Sequence, residues 1–401
     1  MAARTIHPFP ARMAPEIALD CIPEAMNGTV SKILDPMCGS GTVLSVAVER
    51  GHDATGVDLD PLAILMTRVA TTPIDTTLCK QLRDQVVDKA AFDRSTAPPW
   101  TDKETSNFAE YWFADHQRQQ LAKLSRAIDD IADEPLRAVA QVALSRTIIT
   151  KAPKASLAAD TSHSRPHRVT NESSYDVFTG FSRAMDDLVR LLGARSIVGT
   201  ANAHRDDCRT LHSIETSSVD MVITSPPYLN AIDYMRGHKF ALIWLGYSIP
   251  ELRKIRSISI GAERGLDGPA ECLANDLVDQ IRRQAMNPSK FPAAMLTRYA
   301  QDLLHFAKQM RRVIRPTGRL IAVVGNSTLR ENFVQNDKIF EQALHHNGFT
   351  TQETTERPLP ENSRYLPITS PNSVSSITRR IRTETVLYMT APQSAHNRPR
   401  V

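Results

Sequence analysis

Short apolar runs with period-two alternation recur along this chain, separated by stretches with helical spacing. Val219-Asp220-Met221-Val222-Ile223 alternates as a strand should, and Ile33-Leu34, 54–58, 196–203, 319–325, 349–357 and 383–390 read the same way. Helices are predicted from Thr42, over 61–72, 176–192, 237–246 and 296–314, and over 336–347, where Asn347-Gly348 supplies a C-cap. Such alternation predicts a doubly wound α/β fold, a mostly parallel sheet with helices on both faces. One long stretch breaks the pattern. Residues 75–195 lack strand alternation, and Leu121, Leu124, Ile128 and Ile131, then 136–149, carry helical spacing. Between the helices, the polar run 160–168 reads as a loop. The expected organisation is therefore one domain, 1–74 and 196–391, interrupted by a mainly helical insertion at 75–195. A second, irregular basic stretch is expected at 247–292 and a disordered tail at 392–401.

Two segments carry candidate chemistry. The strand 219–224 ends in Ser225-Pro226-Pro227-Tyr228, where two prolines stop the ladder and stiffen the backbone. The Ser225 hydroxyl and Pro226 carbonyl are then placed to accept both hydrogens of a planar exocyclic amine. Pro227 fixes the direction of the chain, and the Tyr228 ring is next to them to stack on a base. The other segment is Asp35-Pro36-Met37-Cys38-Gly39-Ser40-Gly41-Thr42, a strand end, a glycine turn and a helix start. Glycines allow tight turning and close approach of a ligand, and the helix N-terminus offers unpaired N–H groups to a carboxylate. The spacing differs from the three-glycine dinucleotide fingerprint. Asp58 ends the next strand, where a carboxylate reaches ribose hydroxyls, and Asp60 caps the helix that starts at Pro61.

Composition narrows the class. With 401 residues, 41% hydrophobic, the chain holds a large α/β domain plus an insertion. Five cysteines have neither C-x-x-C spacing nor histidine companions, so no zinc site and no disulfide framework is expected. There is no apolar run of membrane-spanning length, so a cytoplasmic protein without a membrane partner is expected. The net charge of +4 is small, but basic residues cluster at 165–168, 253–256, 311–315 and 379–382. Clusters on the side of the candidate site are expected to meet phosphates.

The segment Asp35–Thr42 resembles motif I of the S-adenosylmethionine-dependent DNA amino-methyltransferases. Thr224–Tyr228 resembles their motif IV, in the Ser-Pro-Pro-Tyr form typical of enzymes that methylate cytosine at N4. His7-Pro8-Phe9-Pro10-Ala11-Arg12-Met13 resembles motif X, which closes over the methionine end of the cofactor. Asp206-Asp207-Cys208-Arg209-Thr210-Leu211 resembles motif III, with Asp207 or Asp206 accepting from the adenine amine.

The resemblance implies a Rossmann-like class I methyltransferase sheet with an antiparallel last strand. S-adenosylmethionine would be held by His7, Phe9, Asp35, Pro36, Cys38, Gly39, Ser40, Gly41, Thr42, Asp58 and Asp207, with no metal. Ser225, Pro226, Pro227 and Tyr228 would act on cytosine N4 in double-stranded DNA after the base leaves the stack. His163, Arg165 and His167 would meet phosphates, and Asp233 and Tyr234 would line the base pocket or serve as a cap and a core aromatic. Adenine N6 is the alternative target. RNA guanine-N2 methylation and a non-catalytic binding subunit are further alternatives. A separate cognate restriction endonuclease is a possible partner, and no nuclease motif is recognisable in this chain. Either insertion, 75–195 or 247–292, could read the DNA sequence.

Overall fold

The structure, a computed structural model, describes residues 6–8, 13–25, 29–151, 153–163, 166–229, 233–262, 271–284, 293–329, 332–358 and 383–393. Phe9, Arg165, the 230–232 and 379–382 segments and residues 394–401 of the expected tail lie outside the described residues.

Seven strands build the central sheet: β1 (Lys32–Asp35), β2 (Asp53–Asp58), β3 (Thr200–Arg205), β4 (Val219–Thr224), β5 (Ile314–Gly325), β6 (Thr350–Pro358) and β7 (Thr383–Thr390). Their spatial order is β6-β7-β5-β4-β1-β2-β3. From β5 through β4, β1 and β2 to β3 every neighbour is parallel. β7 lies antiparallel to both β5 and β6, so the final strand alone runs against the rest. This is the mostly parallel α/β sheet that the strand–helix alternation predicts, with the antiparallel last strand that the resemblance implies.

Period-two alternation divides the apolar side chains between two faces. Ile33, Ile223, Ile321, Val323 and Val386 pack on one side with α1 (Pro15–Cys21) and α2 (Thr42–Glu49). Leu34, Val222, Leu320, Ala322, Val324 and Leu387 pack on the other with α12 (Ala293–Val313) and α13 (Asn336–His346). A third core lies outside α3 (Pro61–Thr71). There Leu62, Met66 and Val69 join residues from α4 (Thr76–Phe92), α6 (Asp115–Asp129), α7 (Glu134–Ile148) and α8 (Val177–Gly193). The same core takes in Phe240 of α9 (Met235–Leu242) and the buried Trp244 just after it. The helices between β2 and β3 thus share their core with elements on both sides of them in sequence. Aspartates 75, 102, 133 and 176 cap α4, α5 (Lys103–Trp112), α7 and α8, each accepting backbone N–H groups of the first turn.

Four local differences from the sequence reading have identifiable causes. β3 starts at Thr200 and not at Ser196, because Val198 and Gly199 donate to the Val48 carbonyl at the end of α2. Gly199 passes so close to His52 that a Cβ there would sit 2.0 Å from the His52 carbonyl oxygen, which pins 198–199 before pairing begins. The described residues of the 247–292 stretch are largely helical, in α10 (Ile249–Ile258) and α11 (Cys272–Gln284). Ser248 caps α10, and Ile249, Leu252 and Ile255 form its buried face. Within 160–168, His167–Arg168 pair with Ala158–Ala159 in a two-residue ladder. The Pro316-Thr317-Gly318 turn is absorbed into β5 as an irregularity, with Thr317 at φ +62°.

Candidate active site

The carboxyl ends of β4, β1, β2 and β3 lie side by side, so Ser225, Asp35, Asp58 and the 206–207 pair share one edge of the sheet. At ordinary strand spacing these four ends span about 14 Å. In an open parallel sheet this edge is where ligands bind.

Asp35 ends β1 almost fully buried, with Oδ1 accepting from Met37 N–H at 3.2 Å. Burial pushes its carboxyl up to about 7, opposed by the Met37 N–H and raised further by the charge of Asp58. The chain then turns through Gly39 at φ +50° and Gly41 at φ +77°, values that favour glycine. Cys38 N–H donates to Val57 O at 2.9 Å and Gly39 N–H to Asp58 Oδ2 at 2.9 Å, which ties the turn to β2. Gly41 precedes α2 with no side chain capping the helix, so the N-terminal N–H groups remain available to a ligand. Pro36 is buried, while Ser40 and Thr42 are half-buried on the turn. Cys38 is 4% exposed with its thiol pushed well up by burial, and Thr67 Oγ1 lies 3.5 Å from its sulfur. A Cβ on Gly56 would meet that sulfur at 3.0 Å. Cys38 therefore fills space that Gly56 leaves beside β2.

Asp58 accepts from Gly39 N–H with one oxygen and from Asp60 N–H, at 2.9 Å, with the other. Each oxygen retains a second acceptor direction, as a diol requires. Burial raises its carboxyl to about 6, with Asp60 adding to the shift. Asp60 caps α3 through Leu62 N–H at 2.9 Å, as the sequence predicts. Its other oxygen bonds the buried His238 Nδ1 at 2.5 Å, joining α3 to α9. His7 is buried beside this pair. Burial, then the nearby His238 and Arg146, hold its imidazole well below the usual range. Neither ring nitrogen has a partner among the described residues. Arg146 of α7 donates to the Ile6 carbonyl at 2.5 Å and holds this segment down.

Beyond β3 the two aspartates divide. Asp206 accepts from Asp207 N–H at 2.7 Å and from both Ser213 N–H and hydroxyl at 2.8 Å. Asp207 is gripped by Arg209, whose Nε and Nη2 reach its two oxygens at 2.9 and 2.6 Å. Arg209 also bonds Asp302 of α12 at 2.6 Å and the Ile258 carbonyl at 2.5 Å. The Asp-x-Arg spacing is visible in the sequence, but Asp302 is 93 residues further on and carries no local signal.

At the end of β4 the register sets Thr224 beside Ala322, so Ser225 falls opposite Val323. Ser225 Oγ donates to the Val323 carbonyl at 3.2 Å. Its proton is thereby used on β5, which leaves the oxygen's lone pairs as acceptors. Pro226 is buried. The Pro227 carbonyl accepts from Tyr299 of α12 at 3.3 Å. The Tyr228 ring lies over Gly325, where a Cβ would come within 3.3 Å of it. Asn336 locks the same corner, accepting from Leu229 N–H and donating to the Gly325 carbonyl. Asp233 is held by Arg236 and Arg256, and Tyr234 stacks on His238 with ring centroids 6.2 Å apart.

His167 lies with Asp160, 3.8 Å away, on the short ladder. Among the described residues no cluster of three or more His, Cys, Asp or Glu could hold a metal ion. No described helix is long and apolar enough to cross a membrane.

No protein-family model matches the chain. It is similar to the type II methyltransferase M.MvaI of Kocuria varians, 21% identical over 368 residues, covering 84% of this chain and 79% of that protein. Among solved structures, a SAM-dependent methyltransferase from Methanosarcina mazei aligns over 96% of this chain and 100% of its own, at 10% identity and TM-score 0.35. A Thermus thermophilus protein described as a DNA modification methylase, complexed with S-adenosyl-L-methionine, covers 49% of this chain and 57% of its own, at 15% identity and TM-score 0.25.

Proposed function

We propose that this chain is an S-adenosylmethionine-dependent DNA methyltransferase that modifies the exocyclic N4 amine of cytosine in duplex DNA. The observation that carries this reading is the adjacency of the glycine turn after β1 to Ser225-Pro226-Pro227-Tyr228 after β4, on neighbouring parallel strands. The similarity to a type II methyltransferase over most of both chains supports it.

The donor set suits the cofactor. Asp35 answers an ammonium, Asp58 has acceptor directions left for two ribose hydroxyls, and the uncapped start of α2 suits a carboxylate. Asp207, or Asp206, takes the adenine amine, with Arg209 holding Asp207 in place. His7 lies in the segment assigned to the methionine end. When bound, S-adenosylmethionine supplies an electrophilic methyl group on a sulfonium.

What the protein itself does is to localise a lone pair. Ser225 Oγ, oriented by Val323, and the Pro226 carbonyl accept the two amine hydrogens. That geometry draws the nitrogen out of conjugation and turns its lone pair toward the cofactor turn. Tyr228 stacks on the extruded base, which has lost its neighbours in the duplex. Positioning and fixed dipoles supply the acceleration, and the surplus proton leaves to water. No covalent enzyme intermediate is formed. Calorimetric titration of S-adenosylmethionine, followed by assay of methyl transfer to duplex DNA, tests the reading. Binding without transfer would make the chain a non-catalytic subunit, and no binding at all would remove the cofactor assignment.

The two raised carboxyls also predict how cofactor affinity varies with pH. Folding raises Asp35 to about 7 and Asp58 to about 6, so the folded protein holds protons there that the unfolded chain has lost. Stability from these groups is therefore greatest below the unfolded carboxylate range and is lost as pH rises through 6 and 7. A cationic ligand has the opposite preference, because it attracts the ionised form. Affinity should rise from pH 5.5 to 8, by up to about tenfold per unit for each group that must ionise. Asp35→Asn should flatten the upper part of that profile, and an unchanged profile would separate Asp35 from the ligand.

A further inference from the structure

Past Tyr228 a cationic surface begins that methyl transfer itself does not use. Asp233 Oδ2 is shared by two guanidiniums, with Arg236 Nε at 3.1 Å and Arg256 Nε also bonded to it. Lys239, one turn beyond Arg236 on α9, lies with its ammonium 5.0 Å above the Phe108 ring of α5. Burial, and then the charge of Arg256, lower its pKa, and Arg236 adds to this while Asp233 opposes it. Among the described residues Asp233 is the one carboxylate ion-paired within this group. Three cations therefore face one anion, and like charges at this range repel unless an anionic ligand joins them. The two guanidiniums are accessible, with Arg236 49% and Arg256 45% exposed, whereas the carboxylate that holds them is 22% exposed and Lys239 is half-buried.

Their place in the fold is specific. After α10 the chain reaches Gly261, where a Cβ would sit 3.6 Å from the Tyr228 carbonyl oxygen. Arg209 bonds the Ile258 carbonyl at the end of the same helix. The end of α10 is thus tied to the 206–211 segment and, through Gly261, lies near the Tyr228 backbone, and α9, with Arg236 and Lys239, begins seven residues after Tyr228 in the chain. A nucleotide drawn out of a duplex beside Tyr228 must bring its own backbone to this surface. We infer that Arg236, Lys239 and Arg256 bind the DNA phosphates flanking the extruded nucleotide, with Asp233 fixing the two guanidiniums. This inference rests on the DNA-methyltransferase reading. Contacts of this kind position the strand and carry no sequence information, so they set affinity and not the recognition sequence.

The test uses the full chain, a short fluorescein-labelled duplex and a series of salt concentrations, with anisotropy as the readout. Lys239→Gln and Arg236→Gln should each weaken duplex binding several-fold at low salt. Each should also lower the slope of log affinity against log salt by about 0.9, the value for one phosphate contact. Lys239→Arg should restore the slope. Calorimetric affinity for S-adenosylmethionine should stay within about twofold of the parent in every variant, which also reports an intact fold. Slopes and affinities equal to the parent's, in a protein that methylates DNA, would overturn the phosphate assignment alone. A parent protein that neither binds nor methylates duplex DNA would overturn this inference together with the function it rests on.

Discussion

Gly39→Val is expected to abolish S-adenosylmethionine binding and leave the protein folded. Gly39 sits at φ +50°, where a β-branched residue is a genuine outlier. Forcing an L-residue there costs about 1–2 kcal/mol, and the turn relieves that strain by moving. Movement breaks the 2.9 Å bond from Gly39 N–H to Asp58 and releases the carboxylate that the bond orients. It also shifts the chain into Gly41, whose own fit against Thr67 has no slack, since a Cβ there would meet the Thr67 Cα at 3.0 Å. The turn lies at the sheet edge, and Gly39 itself is in neither core of the sheet, although its neighbours Met37 and Cys38 join them, so the fold should survive a shift confined to the glycine turn. A loss of roughly two orders of magnitude in affinity or more, equivalent to about 2.8 kcal/mol, is expected by calorimetry. A folded variant with the parent's affinity would mean that this turn does not hold the cofactor.

Ser225→Ala and Tyr228→Ala should do the reverse, retaining cofactor affinity and losing turnover. In the proposed mechanism Ser225 contributes one of two acceptors, aimed by its bond to Val323. By analogy with removing one preorganised dipole from a reacting centre, kcat should fall about 10²- to 10³-fold. The Tyr228 side chain lies over Gly325, and in the proposed mechanism it stacks on the flipped base, a contribution of about 1–3 kcal/mol per base in single-strand binders. Its removal should raise the DNA KM and lower kcat together. A defect confined to S-adenosylmethionine binding in either variant would mean that the segment after β4 has another role.

The parts of this site that were legible in the sequence are those whose chemistry is local. Two prolines after an alternating run mark the end of β4, and Asp-Pro followed by Gly-x-Gly marks the turn after β1, because proline and glycine act on their own backbone. Asp60 as a helix cap is equally local. The rest depends on residues far apart in the chain. The bond between His238 and Asp60 spans 178 positions, that between Arg209 and Asp302 spans 93, and that between Ser225 and Val323 spans 98. Nothing in a window of a dozen residues carries such pairings. The start of β3 escaped the sequence reading for the same reason, since it is set by Val48 and His52 on other elements. Helix α10 is a different case. Ser248 before Ile249, Leu252 and Ile255 is a readable cap and stripe, masked by the basic residues between them.

The methyl group is expected on cytosine N4. A serine hydroxyl is a neutral acceptor, and Ser225 already spends its proton on Val323, so it presents only lone pairs to an amine. Adenine also carries an amine beside an unprotonated ring nitrogen, so the choice of base rests on the Ser-Pro-Pro-Tyr form of the segment. Duplex DNA should be reacted with tritiated S-adenosylmethionine, digested to nucleosides and separated, with RNA treated in parallel. Label is expected in N4-methyldeoxycytidine from duplex DNA, with none in RNA. Label eluting with N6-methyldeoxyadenosine, or appearing only in RNA, would mean that the protein does not methylate cytosine N4 in DNA.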